Sequence, residues 1–593
     1  MQLRLFRLRM RRRLRKSQRQ VEELSAQAEQ NIEQHFLKRF DRLTRIRRFL
    51  FAWLLLMILL IGGVIAQNVN LGNYYQTLRP VPGGIFSEGI VGSFSNANPL
   101  YATSDADTSV STLIFSGLFK YTDHNQITGD LASSYDVDAK GTTYTVHLKP
   151  GLKWQDGQPL TSRDVVFTYH LIQNPDAKSP LQASWQGVTV KATDARTVVF
   201  ELSNSLAPFI YNLTNGIVPE HLLASVPAAD LRSADFNTVK PIGAGPFAWH
   251  GVQVSGSDPA KLQQQIALVP FTGYKGDKAK LNEFIIHTYA DKQELVAAFK
   301  HGQLTAAEGL TSVPPEIAKM KSLQVHNLLL SAATMVFFKT TSGVLSDKQV
   351  RQALVQATNV PDIINHLGYP TRAVKEPILQ GQVGYDKSLA QPGFDLVAAQ
   401  KVLDSDGWAV GKGGVRYKNS QPLTFVLNAA NIAEYRQVAN ELAKQWQALG
   451  VKLQVQLQEP ADFQSTLSGH SYDAVLYGIS IGADPDVFVY WDSSQADIRA
   501  SNRLNFSEYK NATADTSLET GRTRTDPALR TIKYRPFLQA WQQDYPALGL
   551  YQPRLLYLTN GTVGGLHDTV VNTPANRYNN VTNWEVRQAR VTN

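Results

Sequence analysis

LKPGLKWQDGQPLTSRDVVFTYHLI, Leu148 to Ile172, is the stretch on which the fold reading turns. The preceding YTVHLK (144–149) alternates apolar and polar residues, the period of a half-buried strand. Gly151, Asp156-Gly157 and Pro159 then interrupt it with turn chemistry. Thr161 can cap a helix, and Thr161-x-x-Asp164 has the spacing of a capping box. Val165, Tyr169 and Ile172 fall on one face of that helix. The segment therefore reads as strand, tight turn, helix, with Trp154 placed to plug the gap between strand and helix. Its role is structural.

Outward from this joint the same logic continues. VTVKATDARTVVFEL (188–202) reads as two strands around an Asp-containing turn, and GKGGVR (411–416) as a hairpin turn. Lys348–Thr358 and Asp395–Leu403 have helical character, with Gly407 as a stop for the second. Ile432, Tyr435, Val438, Leu442, Trp446 and Leu449 form an apolar stripe that Gly450 ends. VKLQVQL (451–457), a helical ADFQSTLSG and the strand YDAVLYGIS (472–480) follow. Helices alternating with strands indicate an α/β protein.

The chain has 593 residues, enough for two or three lobes with large cores, and 43% hydrophobic residues, enough to fold most of it. It contains no cysteine, which excludes disulfides, thiolate metal sites, a Cys nucleophile and a lipid-bearing Cys. The net charge is +9, but residues 1–48 hold 15 Lys/Arg against 5 Asp/Glu. The rest of the chain is thus nearly neutral, and no nucleic-acid groove is expected.

Residues 49–66, FLFAWLLLMILLIGGVIA, carry no charge. At about 1.5 Å per residue such a helix spans roughly 27 Å, close to a bilayer core. Arg45, Arg47 and Arg48 precede it and Gln67, Asn68 and Asn70 follow. The positive-inside rule places the N-terminus in the cytoplasm and the remainder outside. A cleaved signal peptide has a shorter apolar core and a smaller basic region, so an uncleaved single-pass anchor is expected. In the basic piece Val21, Leu24, Ala28, Ile32, Phe36, Phe40 and Leu43 recur at helical spacing. They suit a helix on anionic lipid, a helix on a partner, or a solvated extension. Residues 67–84, with Pro80, Pro82 and Gly83-Gly84, read as a linker.

The joint resembles the signature of extracellular solute-binding protein family 5, the peptide- and nickel-binding proteins of ABC importers. There a strand leads into G-x-K-W/F-x-D-G-x-P and a helix starting near T-x-x-D-V. Here these are Gly151, Lys153, Trp154, Asp156, Gly157 and Pro159, then Thr161, Asp164 and Val165. Further resemblances lie in 95–135 (Asn98-Pro99 and Asp130-Leu131-Ala132), PIGAGPFAW (241–249, with Ala244 for Thr), LSDKQVRQALVQATN (345–359), AAQKVLDSDGW (398–408) and YPALGLYQP (545–553). They fall in family order over roughly 85–575.

The resemblance implies a two-lobed, type II periplasmic-binding-protein-like α/β fold with an extra subdomain in lobe I. Lobe I would comprise 85–330 and 555–593, and lobe II 331–554, closing by hinge motion around a ligand. It implies a monomeric receptor that needs no cofactor and delivers a peptide or similar solute to an ABC permease. In peptide-binding members an Asp four residues before the Pro of the loop after YDAVLYGIS pairs with the ligand ammonium. Here that Pro is Pro485 and the position holds Ile481. Asp484 or Asp486 could substitute, or Asp484 could cap a helix begun by Pro485. Tyr477, Ser480 and Trp491 could line the ligand, and Asn98 could face it from lobe I.

Two other readings fit part of the pattern. A sensor or adhesin could use the same fold. Gly478-Ile479-Ser480-Ile481-Gly482 is also a literal G-x-S-x-G with His567 and Asp568 downstream, as in a serine hydrolase. No helix directly follows the Ser, and no H-G-G-G segment is present, so catalysis is not expected. The 12 His show neither H-E-x-x-H nor a close ligand cluster, so no protein-built metal site is expected.

Overall fold

The computed structural model describes residues 21, 25–26, 47–256, 262–497, 499–500 and 503–592. The basic segment 1–48, with its expected amphipathic helix, lies almost wholly outside them. Two compact units are present, one of residues 1–79 with 588–593 and one of 80–587.

In the first unit a single helix runs Arg47–Tyr75. Its stretch Phe49–Asn68 is long and apolar enough to cross a membrane. The helix continues nine residues beyond Ala66, where a linker was read, and passes into the strand Gln76–Val81, which pairs with Arg587–Thr592. The helix continues through Gly72 and three Asn, all weak helix formers, and Pro80 is tolerated in a two-stranded, edge-only ribbon.

In the second unit, among the described residues, three sheets have four or more strands. The largest orders Val570–Val571, Leu323–Leu330, Arg554–Asn560, Ala306–Glu308, Ile85–Val91, Glu283–Tyr289, Gln263–Pro270 and Phe247–Ser255. The second orders Lys452–Gln458, Thr424–Ala430, Ala474–Ser480, Ala332–Phe338 and Ala547–Tyr551. The third, Ala132–Val137, Thr143–Leu148, Thr197–Leu202 and Val188–Asp194, shares a buried core with the first. We call the first and third sheets lobe I and the five-stranded sheet lobe II.

The chain leaves lobe I at Ser331, between Leu323–Leu330 and Ala332–Phe338, and returns at Gln552–Pro553. The two passages are tied together: Leu330 N–H donates to Pro553 O at 2.9 Å, and Gln552 Nε2 to Leu330 O at 3.2 Å. Two adjacent single-strand passages form a natural hinge.

The joint folds as its residues dictate. Strand Thr143–Leu148 ends, Gly157 at φ +90° closes a turn onto the Trp154 carbonyl, and helix Ser162–Gln173 begins. Thr161 and Asp164 form the capping box, with Thr161 N–H donating to Asp164 at 2.8 Å. Trp154 is wholly buried. In lobe II, helix Ala433–Leu449 buries Val438, Leu442 and Trp446 and stops at Gly450, which takes a left-handed conformation.

Candidate functional site

The lobe I wall starts with helix Asp105–Ile114, capped by the Ser104 hydroxyl on Asp107 N–H. Its last turn presents Ser111 and Thr112, then Phe115, to a cavity of about 330 Å³. Gly117 makes the next segment possible. A Cβ there would lie 2.5 Å from the Thr214 carbonyl oxygen, so only glycine lets the chain pass residues 214–216. Strand Phe119–Tyr121 follows and brings Lys120 and Tyr121 to the cavity, opposite Asn215, Tyr274 and Thr582.

Lys120 Nζ donates to the Tyr274 hydroxyl at 3.0 Å, and that hydroxyl donates to Asp130 at 2.8 Å. Lys120 and Asp130 are 3.8 Å apart. Burial, then the Asp130 charge, holds the Tyr274 phenol far above its ordinary range, so it remains a donor. Tyr121 stacks on Tyr211, with ring centres 6.2 Å apart and planes at 22°. Burial raises both phenols, and the Asp484 charge of lobe II raises both further. Tyr144 is pushed up to about 12 by burial, Tyr135 and Asp484.

The Asp484 loop leaves strand Ala474–Ser480 and is fastened to the first passage. Ile481 and Gly482 N–H both donate to Ser331 O at 2.9 Å, and Gln382 Nε2 donates to Gly482 O at 2.7 Å. On the lobe I side Ser331 N–H donates to Val571 O, and its hydroxyl accepts from Asn125 Nδ2 at 3.0 Å. Ser331 thus links both walls. Farther along the lobe boundary, Ser205 Oγ donates to Thr523 O at 2.7 Å and Ala207 N–H to Arg522 O at 2.8 Å.

The six residues singled out in the sequence separate. Asp484 receives both terminal nitrogens of Arg530, at 2.6 and 2.7 Å, in a bidentate pair that is nearly buried on both sides. Asp486 pairs with Arg522 at 2.8 Å, and burial still raises its carboxyl above the usual range. Neither caps a helix: Pro485 begins none, and the next short helix is Phe488–Trp491. Ser480 is exposed at the strand end, its carbonyl accepting from Tyr490. Tyr477 packs on Phe463 and Phe506 beside a separate cavity of about 310 Å³.

Asn98 and Trp491 require correction. Asn98 is fully buried, donating to Asn237 and accepting from Leu100 N–H, so it closes a turn rather than facing a ligand. Trp491 is fully buried between Phe337 and Trp541 as core. Lys120, Tyr121 and Asn215, which line the cavity, were not singled out in the sequence. The available signal was a lysine set between Phe119 and Tyr121 inside a family segment.

The hydrolase constellation does not assemble. His567 lies 3.3 Å from Asp123, and Asp568 bonds His326 at 2.9 Å and Asn327 N–H at 3.2 Å. Both groups are committed within lobe I. Folding does bring Asp362, His366 and Glu441 together, with ligand-type atoms within 4.8 Å of one another. Glu441 already accepts from Gln445 and lies 3.8 Å from Lys444, so the nearby ammonium disfavours a cation.

Two α/β lobes joined by paired passages have the architecture of a type II periplasmic-binding-protein fold, that of solute-binding proteins. Residues 126–499 match the bacterial extracellular solute-binding proteins, family 5 (middle region), and the chain belongs to that family. It is similar to the oligopeptide-binding protein AppA of Bacillus subtilis (strain 168), 26% identical over 488 residues, which cover 80% of this chain and 87% of AppA. The fold resembles that of NikZ from Campylobacter jejuni, solved in complex with Ni(L-His). That match has a TM-score of 0.69 and 23% identity, covering 85% of this chain and 100% of NikZ. It also resembles Bacillus subtilis AppA solved with a nonapeptide, with a TM-score of 0.65 and 24% identity, covering 86% of this chain and 100% of that one.

Proposed function

We propose that this chain is the membrane-anchored receptor of an ABC importer. It takes a peptide or similar small polar solute between lobe I (85–330 and 555–593) and lobe II (331–554) and delivers it to a permease. The observation that carries this reading is the two-lobed fold itself, with the Ser480–Asp486 loop bonded to the Ser331 passage between the lobes and a cavity bearing Lys120, Tyr121 and Asn215 in lobe I. The names of AppA and NikZ support a peptide or a small chelate as cargo. The apolar helix Phe49–Asn68, preceded by a basic segment, supports an anchor with the N-terminus inside and the binding lobes outside. A permanent anchor keeps the receptor near its permease and raises its local concentration there.

Native mass spectrometry of the full-length protein, released from detergent, tests the cargo. The expected result is a family of adducts with peptide masses. A single non-peptidic adduct would remove the peptide reading while leaving the receptor reading in place. For the anchor, N-terminal sequencing of membrane-extracted protein should return the residues at the start of the chain, and a mature start near Gln67 would contradict it.

A further inference from the structure

The lobes also meet where loop 203–208 of lobe I touches the end of helix Ala512–Arg522 of lobe II. A helix leaves its last carbonyls without partners of its own. Here lobe I supplies them: Ala207 N–H donates to Arg522 O at 2.8 Å and Ser205 Oγ to Thr523 O at 2.7 Å. Neither carbonyl accepts another hydrogen bond among the described residues.

Both sides of this contact are firmly seated. The Leu206 carbonyl, between the two donors, accepts from the Tyr144 hydroxyl at 3.0 Å, and Phe209 belongs to the lobe I core. Gly141, at φ +71°, leaves room for the Ser205 hydroxyl, whose oxygen a Cβ there would overlap. On the other side Ala514 and Leu518 fix the helix in the lobe II core.

Between these seats the lobes do not interdigitate. A cavity of about 630 Å³ lies beside the contact, with Leu206 and Phe209 on one wall and Phe488, Glu519 and Arg522 on the other. A fixed boundary packs to the density of a core. A boundary held by hydrogen bonds around a space separates at small cost, because water replaces each bond. Arg522 belongs to both parts of lobe II that face this space. Its carbonyl receives Ala207, while its guanidinium holds Asp486 at 2.8 Å and lies 4.3 Å from the Phe488 ring centre.

We infer that Ser205 and Ala207 close a clasp on the end of helix Ala512–Arg522 that holds the lobes shut, and that Arg522 is a positioning residue linking this clasp to the Ser480–Asp486 loop. The inference rests on the solute-binding reading above and adds where closure is secured.

The chain has no cysteine, so two introduced thiols are unique label sites. The side chains of Asp136 in lobe I and Lys444 in lobe II are 80% and 76% exposed. Spin labels on Asp136→Cys and Lys444→Cys, in the full-length protein in detergent after exhaustive dialysis, report the separation of the lobes by pulsed dipolar spectroscopy. A closed and an open population are expected. Ser205→Ala should raise the open-to-closed ratio about fivefold, the scale of one lost hydrogen bond. Ala207→Pro, which removes the other donor, should raise it similarly. A ratio unchanged by Ser205→Ala, or a wild type with no closed population, would overturn the clasp. Ser205→Ala should also speed amide exchange at Asp486–Phe488, and unchanged exchange there would overturn the linking role of Arg522. Adding tri-alanine should close the wild type and both variants. Failure of the peptide to close any of them would count against the peptide reading, while the ratios measured without it still decide the clasp.

Discussion

The joint at 148–172 and the loop at 480–486 are built from similar residues, Gly, Pro and Asp beside a strand, and are held in opposite ways. The joint is self-contained. Its turn closes from Gly157 N–H to Trp154 O, Thr161 and Asp164 cap each other, and Trp154 fills the angle between strand and helix. The loop depends on distant chain. Asp484 is met by Arg530 46 residues on, Asp486 by Arg522 36 residues on, and the Ile481 and Gly482 N–H groups by Ser331 at the hinge. Local chemistry makes a rigid corner. Long-range chemistry makes a segment whose environment changes when lobes move.

The largest expected effect is in the joint. Trp154→Ala should cost about 3–5 kcal/mol, the range for emptying a buried aromatic site, read as a shift of the urea midpoint. It should not change the order of solute affinities, since Trp154 lies in the core. A changed order would break the separation between corner and loop.

Asp484→Ala should cost about 3 kcal/mol, because it strands the Arg530 guanidinium. The double variant Asp484→Leu/Arg530→Met should recover most of that loss, again by urea denaturation. Failure of the rescue would mean that the pair does more than neutralise itself. Thr161→Ala should cost about 1 kcal/mol through the lost cap. Unlike Asp484→Ala it should need no second-site rescue, and a loss above that of Asp484→Ala would reverse the contrast.

The smallest effect is a pH slope. Burial pushes the Glu376 carboxyl up to about 8, with the Asp386 N–H opposing and the Asp386 charge adding to the rise. An unfolded Glu titrates near about 4.3. Between those values the folded chain holds a proton that the unfolded chain has released, so stability falls as pH rises through that window. Glu376→Gln should flatten the fall, measured as urea midpoints at pH 5 and 8 against wild type. An unchanged slope would place the titrating group elsewhere.

What the sequence made legible follows the same division. The capping box, the hairpin within 188–202 and the helix stopped by Gly450 are local, and each stands as its residues suggested. The linker expected at 67–84 became helix to Tyr75 and then a strand, because that strand's partner, Arg587–Thr592, lies at the far end of the chain. Asn98 and Trp491 are polar or aromatic residues in family segments, and nothing local tells a buried amide or indole from one facing a ligand. Asp484 and Asp486 carried charge of the right kind, yet the arginines that neutralise them sit in two later helices, Ala512–Arg522 and Pro527–Asp544, with no pattern pointing back. Lys120 was visible as a lysine between aromatics, but its exposure relative to Asp130 is a property of the folded cavity alone.

Hydrogen exchange of the full-length protein, with and without the solute that co-purifies with it, tests the central claim most directly. The account predicts that the solute slows exchange together in residues 108–121 and 214–216 of lobe I and 480–486 of lobe II, with little change in 148–172. Protection confined to one lobe, or to the outer faces of both, would contradict a solute held between them.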